Sequence, residues 1–410
     1  MSWEYKTLGE VGTVARGKSK HRPRNDESLY GGAYPFVQTG DVKHSGLYLT
    51  DYSQTYNEKG LAQSKLWPED TLCITIAANI ADTAILGMPA CFPDSILGFI
   101  PDEEKSDVRF VKYCFDLLQI NIQKMSQGST QDNLSLDKLD KIQFSFPQIA
   151  EQKKIAAVLS ALDDKIALNK KMNQKLEAMA KRLYDYWFVQ FDFPDENGRP
   201  YKTSGGPMTH NPTLNREIPK GWNNGVLSDV ANITMGQSPD GASYNEDGEG
   251  MIFYQGSTDF GMRFPTVRQY TTAPTRFAKK GDILMSVRAP VGAVNIANTD
   301  CCIGRGLSAL NSKLGSLSHL YFLIDVFKKT FENKNTVGTT FGSITKDELY
   351  ALPVVIPDKN VIEQFEKMAK PIFDRQMKLG EESNRLTALR DKLLPLLMNG
   401  QVEAKNEMHF

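Results

Sequence analysis

The chain has 410 residues, with 48 Lys and Arg against 49 Asp and Glu, giving a formal net charge of −1. At 40% hydrophobic, 10% aromatic and 24% charged residues it is neither disordered nor fibrous, and its length implies two or more domains with cores of their own. Near-neutrality excludes a uniformly basic nucleic-acid coat, but not basic segments balanced by acids elsewhere.

The opening Met1-Ser-Trp-Glu-Tyr-Lys6 has no basic region leading into an apolar run, so no signal peptide is expected there. No apolar stretch approaches the roughly 18 residues of a membrane helix. Cys73, Cys91, Cys114, Cys301 and Cys302 have neither framework nor metal-ligand spacing. They read as reduced, buried side chains of a cytoplasmic protein with no metal site.

The first motif is Gly12-Thr-Val-Ala-Arg-Gly17-Lys18-Ser19, which satisfies the P-loop expression. The next residues, Lys20-His-Arg-Pro23, cannot start the helix that a P-loop needs, so the motif reads as a turn. Runs such as Thr71–Ile76 predict strands, and Val108–Ile122 predicts a helix. Phe144-Ser-Phe-Pro147 closes this mixed α/β region. Ile155, Leu159, Leu162, Ile166, Asn169, Asn173, Leu176, Ala180, Leu183 and Trp187 then alternate by four and three. That spacing predicts a coiled-coil helix of about 55 Å over Ala150–Tyr186. The turn-rich stretch Phe191–Pro200 and Thr203–Pro207 reads as a linker.

The chain then repeats itself. Leu8–Ser19 aligns with Leu227–Ser238, Pro35–Gln38 with Ile252–Gln255, and Asp70–Leu72 with Asp282–Leu284. Gly128–Thr130 aligns with Gly338–Thr340, and Phe144–Pro147 with Val354–Pro357, all at an offset of about 210–220 residues. Strands at Ile283–Val287 and a helix at Leu317–Phe331 are expected in the second copy. Its own heptads run Val361, Phe365, Met368, Ile372, Arg375, Leu379, Glu382, Leu386, Leu389, Leu393 and Leu396. Pro371 is expected to kink this helix or shift its start. Polar positions, Asn169 and Asn173 against Arg375 and Glu382, are candidates for fixing register.

The expected fold class is mixed α+β. A first domain at residues 1–147 is followed by a long helix (148–187), a linker (188–218), a second domain (219–357) and a second long helix with a tail (358–410). The helices are expected to pair as an antiparallel coiled coil with pseudo-two-fold symmetry. Pairing is expected through Ile155, Leu159, Leu162, Ile166, Leu176 and Leu183, and through Phe365, Ile372, Leu379, Leu386, Leu389 and Leu393.

Charge is segregated in both copies. Val11–Asn25 holds Arg16, Lys18, Lys20, Arg22 and Arg24 with no acid, and Phe260–Gly281 holds Arg263, Arg268, Arg276, Lys279 and Lys280 with none. Basic, glycine-punctuated loops suit phosphate contacts, and interleaved Gln, Asn and Arg suit base edges. The candidate DNA contacts of the first copy are Arg16, Lys18, Ser19, Lys20, Arg22, Gln38, Thr39, Asn79, Ser129, Thr130 and Gln131. Those of the second are Gln237, Ser238, Gln255, Ser257, Arg263, Arg268, Arg288, Arg305, Thr339 and Thr340. Gly304-Arg305-Gly306 is a turn rather than a dinucleotide fingerprint, because no helix and parallel strand follow in the sequence pattern. No catalytic residue is assigned. A P-loop NTPase or a methyltransferase acting on nucleic acid, and a protein-only coiled-coil scaffold, are the competing readings.

Gly128-Ser-Thr-Gln131 through Phe146-Pro147, Glu151-Gln152, Tyr184-Asp-Tyr-Trp-Phe-Val-Gln-Phe-Asp-Phe193, Ile218-Pro-Lys-Gly-Trp222 and Leu393–Gln401 carry a resemblance. Across essentially its whole length the chain resembles the specificity subunit of Type I restriction–modification systems. The resemblance implies two target-recognition domains, each reading half of a bipartite, asymmetric site in double-stranded DNA. It implies helices that act as a ruler and dock two methyltransferase subunits, with restriction–translocase subunits completing the complex. No cofactor is then bound by this chain; the methyl donor, ATP and Mg²⁺ belong to the partners.

Overall fold

A computed structural model describes residues 3–76, 82–125, 139, 141–336 and 342–404. The chain divides into two compact units, Met1–Leu168 with Ser383–Phe410, and Asn169–Glu382. The boundary therefore falls within both long helices, Ile149–Tyr184 and Lys359–Met398.

In the first unit a five-stranded sheet has the order Gly12–Arg16, Ile96–Pro101, Leu72–Thr75, Thr83–Leu86 and Tyr48–Leu49. A second sheet runs Gln54–Tyr56, Tyr30–Phe36, Ala90–Cys91 and Leu66–Trp67. Glu4–Lys6 pairs with Phe144–Phe146. Leu72-Cys-Ile-Thr75 is buried on both faces, which is why it reads as a continuous β-branched and apolar run rather than an alternating one. Trp67 stacks on Phe92 at 4.8 Å and covers Gly98, where a Cβ would lie 2.6 Å from the indole.

The second unit repeats this plan. Ala231–Met235, Leu307–Ser312, Ile283–Ser286 and Val294–Ile296 form one sheet in the same order. Met251–Tyr254, Cys301–Ile303 and Phe277–Ala278 repeat the second, including its parallel pair. Asn223–Val226 pairs with Pro353–Ile356. In each unit one helix follows the last sheet strand, Val108–Met125 and Leu317–Thr336. The mixed α+β duplication expected from the sequence is present at the level of strand order.

The long helices, 36 and 40 residues, run antiparallel within each unit. In the first unit Arg390 Nη1 meets Asp163 at 2.7 Å, and Ile155, Ala156 and Leu159 share a core with Leu394, Leu397 and Met398. In the second, Asn169 Nδ2 donates to Glu382 at 2.9 Å, and Gln376 Nε2 donates to Glu177 at 2.7 Å.

The seam of the second helix differs from the heptad reading. Phe365, Ile372, Leu379 and Leu386 do face inward, but the buried positions between them are Ala369, Gln376 and Ser383 rather than Met368 and Arg375, while Glu382 meets Asn169 as a polar seam position. Met368 and Leu389 are 51% and 45% exposed, so Leu389 is not a pairing residue. Ala369 is buried where the larger Met368 is exposed, and Gln376 faces inward because its side chain bonds Glu177 on the first helix. Ile166, Leu176, Leu183 and Leu393 are half-buried, and Leu162 is buried. The second helix also continues through Pro371. Pro371 is exposed, so its ring points to solvent and one lost backbone hydrogen bond does not end the helix.

The stretch read as a linker is folded. After a π-helical turn at Asp185–Val189, Phe191 adopts φ 65°, and Phe193 stacks between Tyr201 (4.6 Å) and Trp222 (5.0 Å). Asp192 accepts from the Thr203 amide and hydroxyl at 2.8 and 2.7 Å, and Met208–Asn211 pairs with Arg216–Pro219. Its Gly and Pro residues make tight turns between aromatic anchors rather than slack.

His319 supplies a pH test of this second core. It is 2% exposed, packed edge-to-face on Phe188 at 4.6 Å, and desolvation pushes its pKa from 6.5 down to about 3. Below pH 6.5 the unfolded chain takes up a proton that the folded chain refuses, so stability falls as pH falls. Between pH 7 and pH 5 the expected loss is about 2 kcal/mol, from 1.36 kcal/mol per pKa unit. Urea unfolding at both pH values should show this difference in the native protein and not in His319→Gln; equal slopes would remove His319 as the cause.

Candidate nucleic-acid interface

In the first unit, strand Gly12–Arg16 leaves the sheet at Gly17. The Gly17 amide donates to Ile96 O (2.9 Å) and the Lys18 amide to Phe92 O (3.0 Å). A Cβ on Gly17 would sit 2.2 Å from Pro93 O, so glycine is needed for a close chain crossing. These amides are used within the fold, which is incompatible with a phosphate cradle at Gly17 and Lys18. Beyond the crossing, Arg16, Lys18, Lys20 and Arg22 are exposed. Ser19 is buried. Arg22 Nη1 donates to the Ser19 and His21 carbonyls at 2.8 Å each, and Arg24 pairs with Asp94 at 2.6 Å. Gln38 is exposed and donates to Gln54 at 2.7 Å; Thr39 opens the short helix Thr39–His44.

The second unit builds the same crossing. The Gly236 amide donates to Leu307 O (2.9 Å), and the Gln237 amide to Ile303 O (3.0 Å). A Cβ on Gly236 would lie 2.1 Å from Gly304 O. Ser238 Oγ lies 3.0 Å from Gln255 Nε2 and accepts from the Arg305 amide at 3.3 Å. The Gly306 amide donates to Gln255 O, and the Val287 amide to Gly306 O, which brings Arg288 beside Arg305. Thr275 Oγ1 donates to Gln237 O at 2.6 Å, and the Ile303 amide to Arg276 O at 2.9 Å. Gln237, Ser238, Gln255, Arg288 and Arg305 thus gather at one edge of the sheets, joined by Arg276 of the basic segment and by Thr275, which residue type alone did not single out. Arg276, Arg288 and Arg305 are exposed, with no ion-pair partner among the described residues. Their charges are available to an anionic partner.

One candidate is corrected, and a second is already paired within the fold. Arg263 is 5% exposed and bound to Glu177 at 3.0 Å and Gln376 at 3.1 Å, so it is a structural tie and not a DNA contact. Arg268 is exposed, but its guanidinium is paired with Asp259, 5% exposed as a side chain. The segment Phe260–Gly281 lacks acids in sequence, yet folding supplies Asp259, Glu177 and Glu381 to it. Ser257 opens a short 3-10 turn and is half-buried. Asn79, Ser129, Thr130, Gln131, Thr339 and Thr340 lie outside the described residues.

The two edges correspond position by position. Lys18 matches Gln237, and Pro93-Asp94-Ser95 matches Gly304-Arg305-Gly306, since Ser95 O accepts from Ile76 as Gly306 O does from Val287. Their chemistry differs: one tip carries the Arg24–Asp94 pair and the other a free Arg305.

A duplicated sheet module with cations and amides gathered on one edge, joined to paired helices, defines a recognition protein of modular, two-headed design. The chain belongs to the Type I restriction modification DNA specificity domain family, whose profile matches residues 1–178 and 219–387. It is a specificity subunit: it supplies DNA recognition, and catalytic activity lies in partner subunits. It is 24% identical to the type I restriction enzyme MjaIX specificity subunit of Methanocaldococcus jannaschii, over 98% of this chain and 94% of that one. It is 22% identical to the type I restriction enzyme HindI specificity subunit of Haemophilus influenzae, over 98% and 99%. In fold it is similar to the crystal structure of a type I restriction-modification system S subunit from M. genitalium, with a TM-score of 0.56, 15% identity and coverage of 97% and 96%. Among the described residues no helix is long and apolar enough to cross a membrane.

Proposed function

We propose that each sheet edge reads one half of a bipartite, asymmetric double-stranded DNA site, the first through Arg16, Lys18, Lys20 and Arg22 and the second through Gln237, Arg276, Arg288 and Arg305. The single observation that carries this reading is the pair of equivalent edges with unlike tips, Arg24–Asp94 against Arg305. Equivalent backbones present the same approach to DNA, and unlike side chains prefer unlike bases. Domains at 1–147 and 219–357 are the units of exchange, and the paired helices act as a ruler for the unspecified gap.

The helices also dock two methyltransferase subunits, with restriction–translocase subunits joining the assembled complex in the cytoplasm. An open groove of about 600 Å³, with Met179, Leu183, Tyr186, Met368 and Ile372 as its apolar lining and Arg182, Asp185 and Gln190 as its polar one, supports a protein contact on the helices of the second unit. The methyl donor, ATP and Mg²⁺ are then bound by the partners.

Genome-wide mapping of methylated sites tests the reading. Exchanging residues 1–147 for another such domain is expected to change one half-site and preserve the other. Removing whole turns from both helices is expected to change the gap and neither half-site. A continuous palindrome, or two half-sites altered together by the exchange, would overturn it.

A further inference from the structure

One loop of the second unit is built as a peg between the recognition sheets and the helix pair. Residues 259–266 fold back tightly: Phe260 bridges Pro265, the Gly261 amide donates to Phe264 O at 3.1 Å, and the Thr266 amide to Asp259 O at 2.7 Å. The tip residues Arg263 and Phe264 are each 5% exposed, although they sit on a loop. Arg263 Nη1 reaches Glu177 on the first long helix, and Nη2 reaches Gln376 on the second, while Gln376 closes the triangle to Glu177 at 2.7 Å. The guanidinium lies over Phe373 at 4.6 Å and over Tyr321 at 4.8 Å. Phe264 sits against Gly380, where a Cβ would be 2.7 Å from its ring. On the sheet side, the Ile296 amide donates to Arg263 O at 3.1 Å, and Asn295 Nδ2 to Gly261 O at 2.9 Å.

Most of the rest of this contact is aromatic and aliphatic packing around Tyr184, Phe322 and Phe365; Ser316 and Ser318 donating to Glu366, and the Lys181–Asp325 and Lys280–Glu381 pairs, each reach one helix only. Such packing is non-directional and tolerates small rotations. A guanidinium fork held by two helices does not, because its donors have fixed geometry. In the first unit Leu47 holds the corresponding position, since the Ile85 amide donates to Leu47 O as the Ile296 amide does to Arg263 O; a leucine cannot make the fork, so the peg belongs to one head alone. A gap changed by one base pair moves a half-site by about 3.4 Å and turns it by about 35°. A ruler therefore discriminates gaps only if each head is held at a fixed angle on it.

We infer that Arg263, seated with Phe264 in the notch at Gly380, is a positioning residue that fixes the angle of the second head on the helix pair and so sharpens discrimination of gap length. This rests on the proposal that the helices measure the gap. The test uses the assembled methyltransferase complex on duplexes carrying the half-sites mapped for the native protein, with the gap varied by one and two base pairs.

Arg263→Lys keeps the charge and loses the fork; Glu177→Gln keeps a hydrogen-bonding partner and loses the ion pair. Both are expected to lower the ratio of methylation at the native gap to methylation one base pair away by at least about tenfold, from the loss of a charge-assisted interaction. Base preference within each half-site should stay unchanged. Either variant, folded by circular dichroism and with its gap ratio unaltered, would overturn the assignment. If Arg263→Lys fails to fold, Glu177→Gln alone decides. Turn deletions in both helices separate the two failures: if they leave the gap unchanged the ruler is wrong, and if they shift it while both variants discriminate normally the peg is wrong.

Discussion

A Gly236→Ala protein is expected to lose the second reading edge and keep the first. The added Cβ would stand 2.1 Å from Gly304 O and 2.8 Å from Leu307 O, and neither backbone oxygen can move without shifting the turn that carries Arg305. The Gly236 amide is bonded to Leu307 O, so the strand cannot swing away without breaking that hydrogen bond in a half-buried crossing. Overpacking against backbone at such a crossing costs about 3 kcal/mol, the upper part of the usual range. Urea unfolding of the purified subunit measures that loss. In the assembled complex, methylation mapping should show relaxed preference in one half-site. The matching change Gly17→Ala, with its Cβ 2.2 Å from Pro93 O, should relax the other half-site instead. Native stability and unaltered half-sites in both variants would mean that these crossings do not hold the reading tips.

Both crossings were visible in sequence as recurring Gly-x-Ser turns after a β-branched run, which is why the duplication could be read without coordinates. The collinear matches implied one fold used twice, while the strand order within it comes from the sheet pairing alone. What stayed hidden has physical causes. The partners of Arg263 lie 86 and 113 residues away, so a local count of charges placed it on a basic surface when folding buries it. In the seam of the second helix hydrophobicity ranks Met368 above Ala369 and Leu389 above Arg390, yet Ala369 is the buried one and Arg390 the one bonded to Asp163 on the facing helix. Arg305 was legible by type, standing between two glycines. Arg276 was legible only as one charge of the basic segment and Thr275 not at all, because their place on the edge is set by hydrogen bonds from the Ile303 amide and to Gln237 O. The Arg24–Asp94 pair, the first head's counterpart of Arg305, joins residues 70 apart and carries no sequence signal.

Arg305→Ala gives the most direct reading of which bases the second head selects. The side chain is exposed on a turn whose backbone is fixed from both sides, by Gly304 on Tyr254 O and Gly306 on Gln255 O. A guanidinium presented this rigidly loses little freedom when it grips a partner. If the fork engages a guanine edge, its removal costs about 1–3 kcal/mol of discrimination at one base pair, or roughly 10- to 100-fold in relative binding. Affinity for sites already mismatched at that base pair should barely change. The slope of affinity against salt should also hold, because no phosphate contact is lost. If Arg305 grips phosphate, all sequences weaken together and the salt slope becomes shallower by about one. Binding titrations of the assembled complex on matched and mismatched duplexes, at two salt concentrations, separate these outcomes. An Arg305→Ala complex with native affinity, native preference and native salt slope would show that the unlike tips do not distinguish the two half-sites, and the proposed two-headed reading would lose its main support.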